Sequence, residues 1–381
     1  MENLPPSLLT GRQAIAASQP GHPPSWLNAQ LPLLTFLGKR LLTVAGTFLI
    51  ITAALYAMTL SIPVEQRVLP YLPNIRSDDP VVIRRFVERS IKQYGLDDPF
   101  PVQYVRWLGN MLQGDWGYSP ILNTDVLSAI SIRSPATIEL TLYSLLLYIP
   151  VGLLVGTLSA WQQGRFLDRT AQLGSFIFAS IPPFVLGLAL IAIVYVQLGL
   201  FDLSRIGYAE KAIIRGDGFF SLTGLLTVDG LLNFRPHISW EAVRHLVLPV
   251  LSLSMLHLAT LAMVTRASVK EELQKEYVLM AKGLGLRESR IMSSALRGAL
   301  LPALTHSALT AAQVVTGVYV IEAIFNWHGV SELLTRSLSG IPDVSLALGF
   351  SVYSVIVVLV IMLVLDILQG VADPRVRQEK N

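Results

Sequence analysis

The residues of this sequence with the most distinctive types and spacing lie in one stretch, EYVLMAKGLGLRESRIMSSALRGALLP, from Glu276 to Pro302. Acidic and basic side chains, two close glycines and a proline are placed here between two strongly apolar runs. Charged side chains on a short helix suit contact with another protein, and glycines permit a tight turn. The stretch therefore has the composition of a protruding contact surface.

Catalytic motifs are absent from the sequence. None of the six histidines has the partner needed for an H-E-x-x-H zinc site, and no G-x-S-x-G nucleophile motif occurs. The phosphate-binding loop G-x-x-x-x-G-K-[ST] is also missing, so ATP binding of the usual kind is not expected. No cysteine is present, which excludes disulfides and thiolate metal sites. The sequence predicts no enzyme, no cofactor and no metal centre.

The elements that hold the charged stretch are predicted to be membrane helices. Of the 381 residues 52% are hydrophobic and only 14% are charged, which is more apolar surface than a soluble domain of this size can bury. A helix needs roughly 20 apolar residues to cross a bilayer, and none of the apolar runs alternates as a barrel strand does. We expect an all-α polytopic membrane protein with six transmembrane helices. The predicted spans are Leu41–Ile62, Ala136–Ala160, Thr170–Phe201, Leu246–Thr265, Gly298–Ile321 and Val344–Leu365.

The predicted spans divide the chain into segments. Residues 1–35, rich in proline, are expected to be a disordered cytoplasmic tail, and residues 371–381 a second cytoplasmic tail. Between the tails we expect a first transmembrane helix (36–62), an outer helical segment (63–135) and a membrane core (136–370). The core includes an outer loop, 202–245, and an inner loop, 266–297, which we call the coupling loop.

The orientation follows from the basic residues of the short loops. An even number of spans places both termini on one side, and short loops rich in Lys and Arg stay in the cytoplasm. The coupling loop has seven such residues, and Arg165 and Arg169 follow the second span, whereas the loop 322–343 has Arg336 alone. Both termini are therefore predicted to be cytoplasmic.

The outer segments contain further helical signals. An amphipathic helix is predicted over Val81–Ile91, ending at Tyr94-Gly95, and a second over Val102–Leu112, followed by glycines. These helices could lie on the outer leaflet, pack over the mouth of the bundle or bind a partner. The loop 202–245 shows no clear period, so we expect an irregular loop with one short helix near Trp240–His245.

Prolines inside the spans are candidate kinks. Pro182-Pro183 in the third span are the strongest candidates, since each proline removes a backbone hydrogen bond. A hinge that opens and closes the bundle is one interpretation. The general abundance of proline in membrane helices is the other.

The coupling loop itself is predicted to be a helix, a glycine turn and a second helix. Four apolar residues at helical spacing form one stripe of the first helix: Leu273, Tyr277, Met280 and Leu284. Gly283 and Gly285 are expected to supply positive φ angles, and Pro302 is placed in the first turn of the fifth span. On composition alone, the favoured interpretation of the segment is an ordinary basic loop that touches anionic lipid.

A family resemblance favours the first interpretation. The segment is similar to the cytoplasmic EAA loop in permease subunits of ABC importers, in the B-type subunit of the dipeptide, oligopeptide and nickel family. Four further segments resemble the same subunit in the same order: YGLDDPFPVQYVRWLGNMLQGDWGYS, SPATIELTLYSLLL, SIPPFVLGLAL and ADPRVR. The chain departs from the pattern at the turn, where Lys-Gly-Leu-Gly replaces Ala-Lys-Gly-Leu, at Ser294 in place of a common His, and at Gly298 in place of Asn.

The resemblance implies a type I ABC importer permease fold in a bacterial inner or plasma membrane. It implies four kinds of partner: a second, C-type permease subunit, two ABC ATPase subunits that bind the ATP, an extracytoplasmic substrate-binding protein, and membrane lipid. Nucleic acid is not expected. The residues implied to couple the chain to the ATPases are Glu276, Tyr277, Ala281, Gly283, Gly285 and Pro302.

Polar residues within the spans are candidates for a substrate path. The candidates are His257, Thr260, Gln313, Thr316, Ser351 and Ser354, although most hydroxyls in membrane helices only bond a neighbouring helix or their own backbone. Glu139, Glu322 and Asp366 lie near span ends, where we expect their side chains to reach the interface.

Other functions stay open from the residues alone. A secondary transporter needs carboxylates near the midplane and usually an internal repeat, and neither is visible. A receptor or purely structural protein is the third class. Within the resembling family the default cargo is a dipeptide or oligopeptide, and nickel complexes or glutathione are alternatives.

Overall fold

The computed structural model describes residues 25–71, 79–200, 203–216, 218–339 and 342–372. In these residues the α-helices are α1 Ser25–Thr59, α2 Val64–Arg67, α3 Pro80–Tyr94, α4 Phe100–Leu112, α5 Val126–Trp161, α6 Phe166–Ser180, α7 Pro183–Leu190, α8 Tyr208–Ile214, α9 Leu226–Leu232, α10 Pro236–Glu272, α11 Glu276–Gly283, α12 Glu288–Ile324, α13 Ser331–Leu338 and α14 Val344–Ala372. The remaining elements are a 3₁₀ turn at Leu69–Tyr71, a π-helix at Ile191–Gln197, and the strands β1 Tyr118–Ser119 and β2 Thr124–Asp125.

Six membrane spans fit these helices. Four single helices are long and apolar enough to cross a bilayer: Leu37–Thr59, Val126–Trp161, Pro236–Glu272 and Val344–Leu368. The other two predicted spans are bent pairs, α6 with α7 and the π-helix, and the two halves of α12, Glu288–Thr310 and Ala312–Ile324. The α-helical membrane class predicted from the sequence is confirmed.

The third predicted span is not one helix. α6 and the helical segment Pro183–Gln197 meet at 98°. Ile181 between them is extended, with φ −99° and ψ 116°. A residue before proline avoids the α region, and Pro182 and Pro183 both lack an N–H donor, so the helix must end here. The prolines therefore break the predicted span Thr170–Phe201 rather than merely kinking it.

The core forms where α5, α10 and α12 pack together. Its large buried side chains include Leu140 and Tyr148 from α5, Leu253 and Leu261 from α10, and Ile321 from α12. The interface between α5 and α10 is the most extensive in the described structure. Two glycines of α5 make it close, since a Cβ at Gly152 would lie 3.0 Å from the Leu261 side chain and one at Gly156 only 2.6 Å from the Ala262 carbonyl oxygen. Small residues at such interfaces let membrane helices approach closely.

The segment before the core forms the predicted amphipathic helices. α3 begins after Asp79, whose Oδ1 accepts the Val81 N–H at 2.9 Å, and it ends at Gly95 with φ +58°. The antiparallel strands β1 and β2 then pair Tyr118 with Asp125. The Ser119 hydroxyl of β1 donates to Asp343 Oδ2 at 2.6 Å, which fixes this hairpin to the start of α14.

The loop 202–245 is more regular than the sequence indicated. α8, α9 and the first turns of α10 surround a small core of Ile206, Phe219, Leu226, Ile238 and Ala242. The prediction of an irregular loop with one short helix is therefore wrong. The helical segments of this loop are too short to show a helical period in the sequence, and their apolar side chains pack against each other.

The two ends of the chain are described only in part. Of the predicted disordered tail, residues 1–24 lie outside the described residues, and residues 25–35 form the beginning of α1 rather than a disordered segment. In the predicted tail 371–381, residues 371–372 end α14 and the rest lies outside the described residues.

The close contact between α5 and α10 predicts that Gly156→Ala destabilises the protein. The added methyl group collides with backbone, so the melting temperature should fall by roughly 2–12 °C, from about 1–3 kcal/mol of overpacking. The measurement is thermal unfolding in detergent. Gly46→Ala in α1 is the matched control, because nothing lies within 4 Å of its added methyl, and it should leave the melting temperature unchanged or raise it. Equal melting temperatures of the two variants would contradict the proposed helix contact.

Candidate coupling site and polar bundle interior

The coupling loop is a short helix held between two long ones. α10 ends at Glu272, three residues form a turn, and α11 begins at Glu276. The predicted apolar stripe from Leu273 to Leu284 does not lie on one helix, so this prediction is wrong. The chain leaves the helix at Leu273 and starts a new one after Lys275. The helix, turn and helix order of the segment is otherwise as predicted.

The two glycines have different roles. Gly283 is the last residue of α11 and Gly285 has φ +70° in the turn that follows. The positive φ predicted for both residues is therefore present only at Gly285. Nothing lies within 4 Å of a Cβ placed on either glycine, so the constraint at Gly285 is the backbone angle alone.

Pro302 lies well inside α12 and not in the first turn of a separate span. α12 runs from Glu288 to Ile324 as one helix, so the second helix of the coupling loop continues directly into the membrane. The boundary predicted at Pro302 is wrong, since buried apolar side chains, Ala299 before the proline and Ala303 after it, keep the helix packed on both sides.

Glu272 organises the turn between α10 and α11. Its carboxylate accepts hydrogen bonds from Lys275 Nζ at 2.6 Å and from the Tyr277 hydroxyl at 3.2 Å. The hydrogen bond to Glu272 raises the pKa of Lys275, and burial followed by the Glu272 charge raises the pKa of Tyr277. The same carboxylate lies over Gly298 of α12, where a Cβ would come within 2.5 Å of Glu272 Cδ. Glu272 thus connects α10, α11 and α12.

The remaining predicted coupling residues are presented at the surface. Val278 is fully buried and attaches α11 to the protein. Glu276 on the other side is exposed, and its carboxylate forms no ion pair or hydrogen bond with any residue in the described ranges. Tyr277 and Ala281 line a groove of about 300 Å³ beside α12, together with Leu286, Arg290, Ile291, Ser293, Ser294 and Arg297. The surface of α11 therefore combines an acid with an adjacent groove bordered by arginines.

The six candidate pore residues are not brought together. Gln313 and Thr316 are exposed on one stripe of α12, which also contains Leu309 and Val320. His257 is buried against the ring of Tyr148, with 5.7 Å between the ring centroids.

The other candidates bond within the bundle. The Thr260 hydroxyl donates to the His257 carbonyl at 3.0 Å, and that of Ser351 to the Ala347 carbonyl at 2.8 Å. Ser354 accepts from the Tyr319 hydroxyl at 2.6 Å. Of the six candidates, only Gln313 and Thr316 have the exposure that a path requires.

Two acids that were expected to reach the interface are buried instead. Glu139 accepts hydrogen bonds from Arg205 and from the N–H and hydroxyl of Thr227, which attaches the loop 202–245 to α5. Glu322 accepts from the Thr137 hydroxyl and from the Ser331 N–H at 3.0 Å, which attaches the segment after α12 to α5. Proximity to a span end did not reveal these partners, because Arg205, Thr227 and Thr137 are far away from the two acids in sequence.

Asp366, the third of these acids, is ion-paired to Arg40, with 3.0 Å between Arg40 NH2 and Asp366 Oδ1. Its side chain is 14% exposed. This pair joins α14 to α1 within the bundle.

A third buried carboxylate was missed altogether. Asp168 accepts hydrogen bonds from Arg266 Nε at 2.7 Å, from the Ser159 hydroxyl and from the Gly164 N–H. It therefore joins α6, the end of α5 and the part of α10 that leads into the coupling loop. The sequence signal that could have indicated this site is the position of Asp168, an acid in the first turn of the apolar helix α6. Among the described residues, no three His, Cys, Asp or Glu side chains gather into a metal site.

Comparison with known proteins identifies the family of the chain. Residues 149–378 match the family described as the binding-protein-dependent transport system inner membrane component. The chain is 31% identical over 352 residues, 91% of its length and 100% of the relative, to a Pseudomonas aeruginosa protein named di/tripeptide transport system permease protein DppB. It is 33% identical over 300 residues, 78% of its length and 87% of the relative, to the Bacillus subtilis oligopeptide transport system permease protein AppB. A match over more than half of the chain, supported by these full-length relatives, shows that the chain belongs to the family of inner-membrane permease components of binding-protein-dependent transport systems.

Proposed function

We propose that this chain is the permease subunit of an ATP-driven importer of dipeptides and oligopeptides. The observation that carries the proposal is the identity of 31% over the whole length of a relative named as a di/tripeptide permease. A third relative, from Escherichia coli, is named as a probable D,D-dipeptide permease and is 32% identical over 291 residues. The names of these three relatives favour peptides over the nickel or glutathione alternatives.

The partners follow from the division of labour in such an importer. We propose a second permease subunit, two ATPase subunits that bind the ATP, and an extracytoplasmic binding protein that selects the peptide. This chain has no phosphate-binding loop in its sequence, so it acts as a non-catalytic subunit. The coupling loop and both termini are assigned to the cytoplasm, in keeping with the basic residues of the short loops.

The coupling role rests on α11. Glu276 is exposed and unpaired within the described residues, next to a groove in which an ATPase side chain can lie. Movement of α11 reaches the membrane by two routes, through Glu272 into α10 and through the first half of α12, Glu288–Thr310. Closure of two ATPases would thus move the two central helices of the core together.

A path for the peptide is proposed along α12. The Gln313 side-chain amide is exposed and makes no hydrogen bond in the described structure. Leaving an amide unpaired in hydrocarbon costs roughly 2–7 kcal/mol, so this stripe is expected to face water or protein rather than lipid. The other four candidates are assigned to packing between helices.

Reversal of the charge at Glu276 tests the coupling. Glu276→Lys should lower peptide uptake about tenfold or more, while the complex still inserts and its ATPase still hydrolyses ATP, because only the contact across the interface is lost. Uptake and ATP hydrolysis are measured on the same reconstituted complex. Glu271→Lys is the matched control, an exposed acid at the end of α10 that should have little effect. Normal uptake by Glu276→Lys would remove this residue from the mechanism.

The absence of native cysteines permits a direct test of the path. Gln313→Cys and Thr316→Cys should react with a small aqueous thiol reagent about tenfold faster than Val360→Cys, because a thiol in an apolar environment forms less thiolate. Val360 is 53% exposed on α14 and serves as the control for a surface that faces lipid. Labelling rates are measured by mass spectrometry in the complete complex, with and without peptide. Equal rates at the three positions would exclude a water-exposed stripe on α12.

A further inference from the structure

A cavity of about 120 Å³ lies where α1 ends and α14 begins. Its walls include Tyr56 and Thr59 from the end of α1, and Val344 and Leu348 from the start of α14. A single water molecule needs roughly 10–15 Å³ of such space, so the cavity has room for a polar group of several heavy atoms. It belongs neither to the coupling loop nor to the exposed stripe of α12.

Aromatic rings form much of the wall. Tyr71 and Tyr94 lie 4.4 Å apart between ring centroids, and Tyr56 and Trp107 lie 5.2 Å apart. Trp116 also lines the cavity. Tyr and Trp are the side chains that collect at the boundary between hydrocarbon and water, and their faces attract cations.

Arg67 supplies a positive charge that the described residues leave unpaired. Its guanidinium donates to Gln103 Oε1 at 3.2 Å and to the Leu96 carbonyl at 3.3 Å, and its Nε is buried without an acceptor. No carboxylate of the described residues lies within ion-pair distance of Arg67. Arg106, the other arginine in the wall, is already paired with Asp98.

Asp115 supplies the opposite charge in the same cavity. Its Oδ1 accepts the Gly117 N–H at 3.0 Å, and none of the ion pairs in the described ranges includes it. The cavity therefore contains one base and one acid that do not pair with each other. A ligand that carries both a negative and a positive group complements such a site.

The position of the cavity indicates where this ligand comes from. Both helices that border the cavity, α1 and α14, are membrane spans, and α1 is the least buried of the four single-helix spans. α4, which covers the cavity, exposes Val105 and Leu112 at 67% and 74%. Exposed apolar residues on an amphipathic helix beside two span ends place the site at the depth of the lipid headgroups.

We propose that this cavity binds the zwitterionic phosphodiester headgroup of a phospholipid, with the phosphate at Arg67 and the ammonium group near Asp115 and the aromatic rings. Arginine suits phosphate because its planar donors contact two oxygens at once. In the proposed orientation the lipid belongs to the outer leaflet. The site does not depend on the identity of the transported solute.

The test is a lipid titration of the full-length protein in detergent, followed by native mass spectrometry. The probe is dihexanoyl-phosphatidylethanolamine, with dihexanoylglycerol, which lacks phosphate, and inorganic phosphate as comparisons. We expect one phosphatidylethanolamine per chain, bound at least about tenfold more tightly than either comparison, since charge-assisted hydrogen bonds contribute factors of this size. Equal affinity for the glycerol lipid overturns the assignment, and tighter binding of inorganic phosphate shows a site for free phosphate instead.

Variants locate the site. Arg67→Gln should weaken phosphatidylethanolamine binding about tenfold or more, and Arg67→Lys, which keeps the charge, should weaken it less. Arg84→Gln removes the same charge from exposed α3 and should leave binding within about twofold, as expected for a surface charge. Asp115→Asn should weaken phosphatidylethanolamine but not phosphatidylglycerol, which has no ammonium group.

Two results would overturn the proposal. One is unchanged lipid binding by Arg67→Gln in a folded protein. The other is displacement of the lipid by alanyl-alanine, which also carries both charges and would assign the cavity to a peptide. If Arg67→Gln fails to fold, the lipid selectivity of the unmodified protein still decides the matter.

Discussion

A carboxylate buried among membrane helices is stable only where the protein itself supplies its hydrogen-bond donors. Three such groups, Glu139, Asp168 and Glu322, determine how the loops of this chain attach to its helices. Each receives donors from at least two different elements. Because each carboxylate must keep its hydrogen-bond donors, the outer loop 202–245, the segment after α12 and the part of α10 around Arg266 are held in one arrangement.

This arrangement gives the coupling loop a rigid support. Arg266 lies in α10 six residues before the helix ends, and its bidentate pairing with Asp168 holds this part of α10 to α6. Glu272 then connects the end of α10 to α11 and α12. A force applied to α11 therefore reaches α10 and α12 through the side-chain contacts of Glu272 as well as through the short turns on either side of α11. Rigid connections of this kind transmit displacement rather than absorb it.

The sequence predicts well what depends on local patterns. Run length located the spans because a bilayer demands a minimum number of apolar residues, and Gly95 marked the end of α3 because caps act within a few residues. The sequence predicts poorly what depends on distant partners. Glu139 meets Arg205 across 66 positions, and nothing near either residue indicates the contact. The break after Glu272 was missed for a different reason, since the apolar spacing from Leu273 to Leu284 continues across it in the sequence.

A departure from the family pattern gains a physical reason in the structure. Gly298 stands where asparagine is common in the resembling family, and the carboxylate of Glu272 occupies the space that any side chain there would need. The glycine and the glutamate are thus two parts of one contact between α10 and α12. Glycine is unfavourable in a helix interior, yet Gly298 is compatible with the fold because the Glu272 side chain fills the space that a larger residue would occupy.

The exposed surfaces of α12 and α14 differ in a way that lipid alone does not explain. α14 exposes Val360, Val364 and Leu368, which suits hydrocarbon. α12 exposes Gln313 between apolar neighbours, and its amide has no partner in the described chain. A helix facing lipid would satisfy its polar side chains within the protein, as α6 does for the exposed Ser180 hydroxyl through the Phe176 carbonyl at 2.7 Å. The exposed surface of α12 therefore differs from that of α14 by an amide that the described residues leave without a partner.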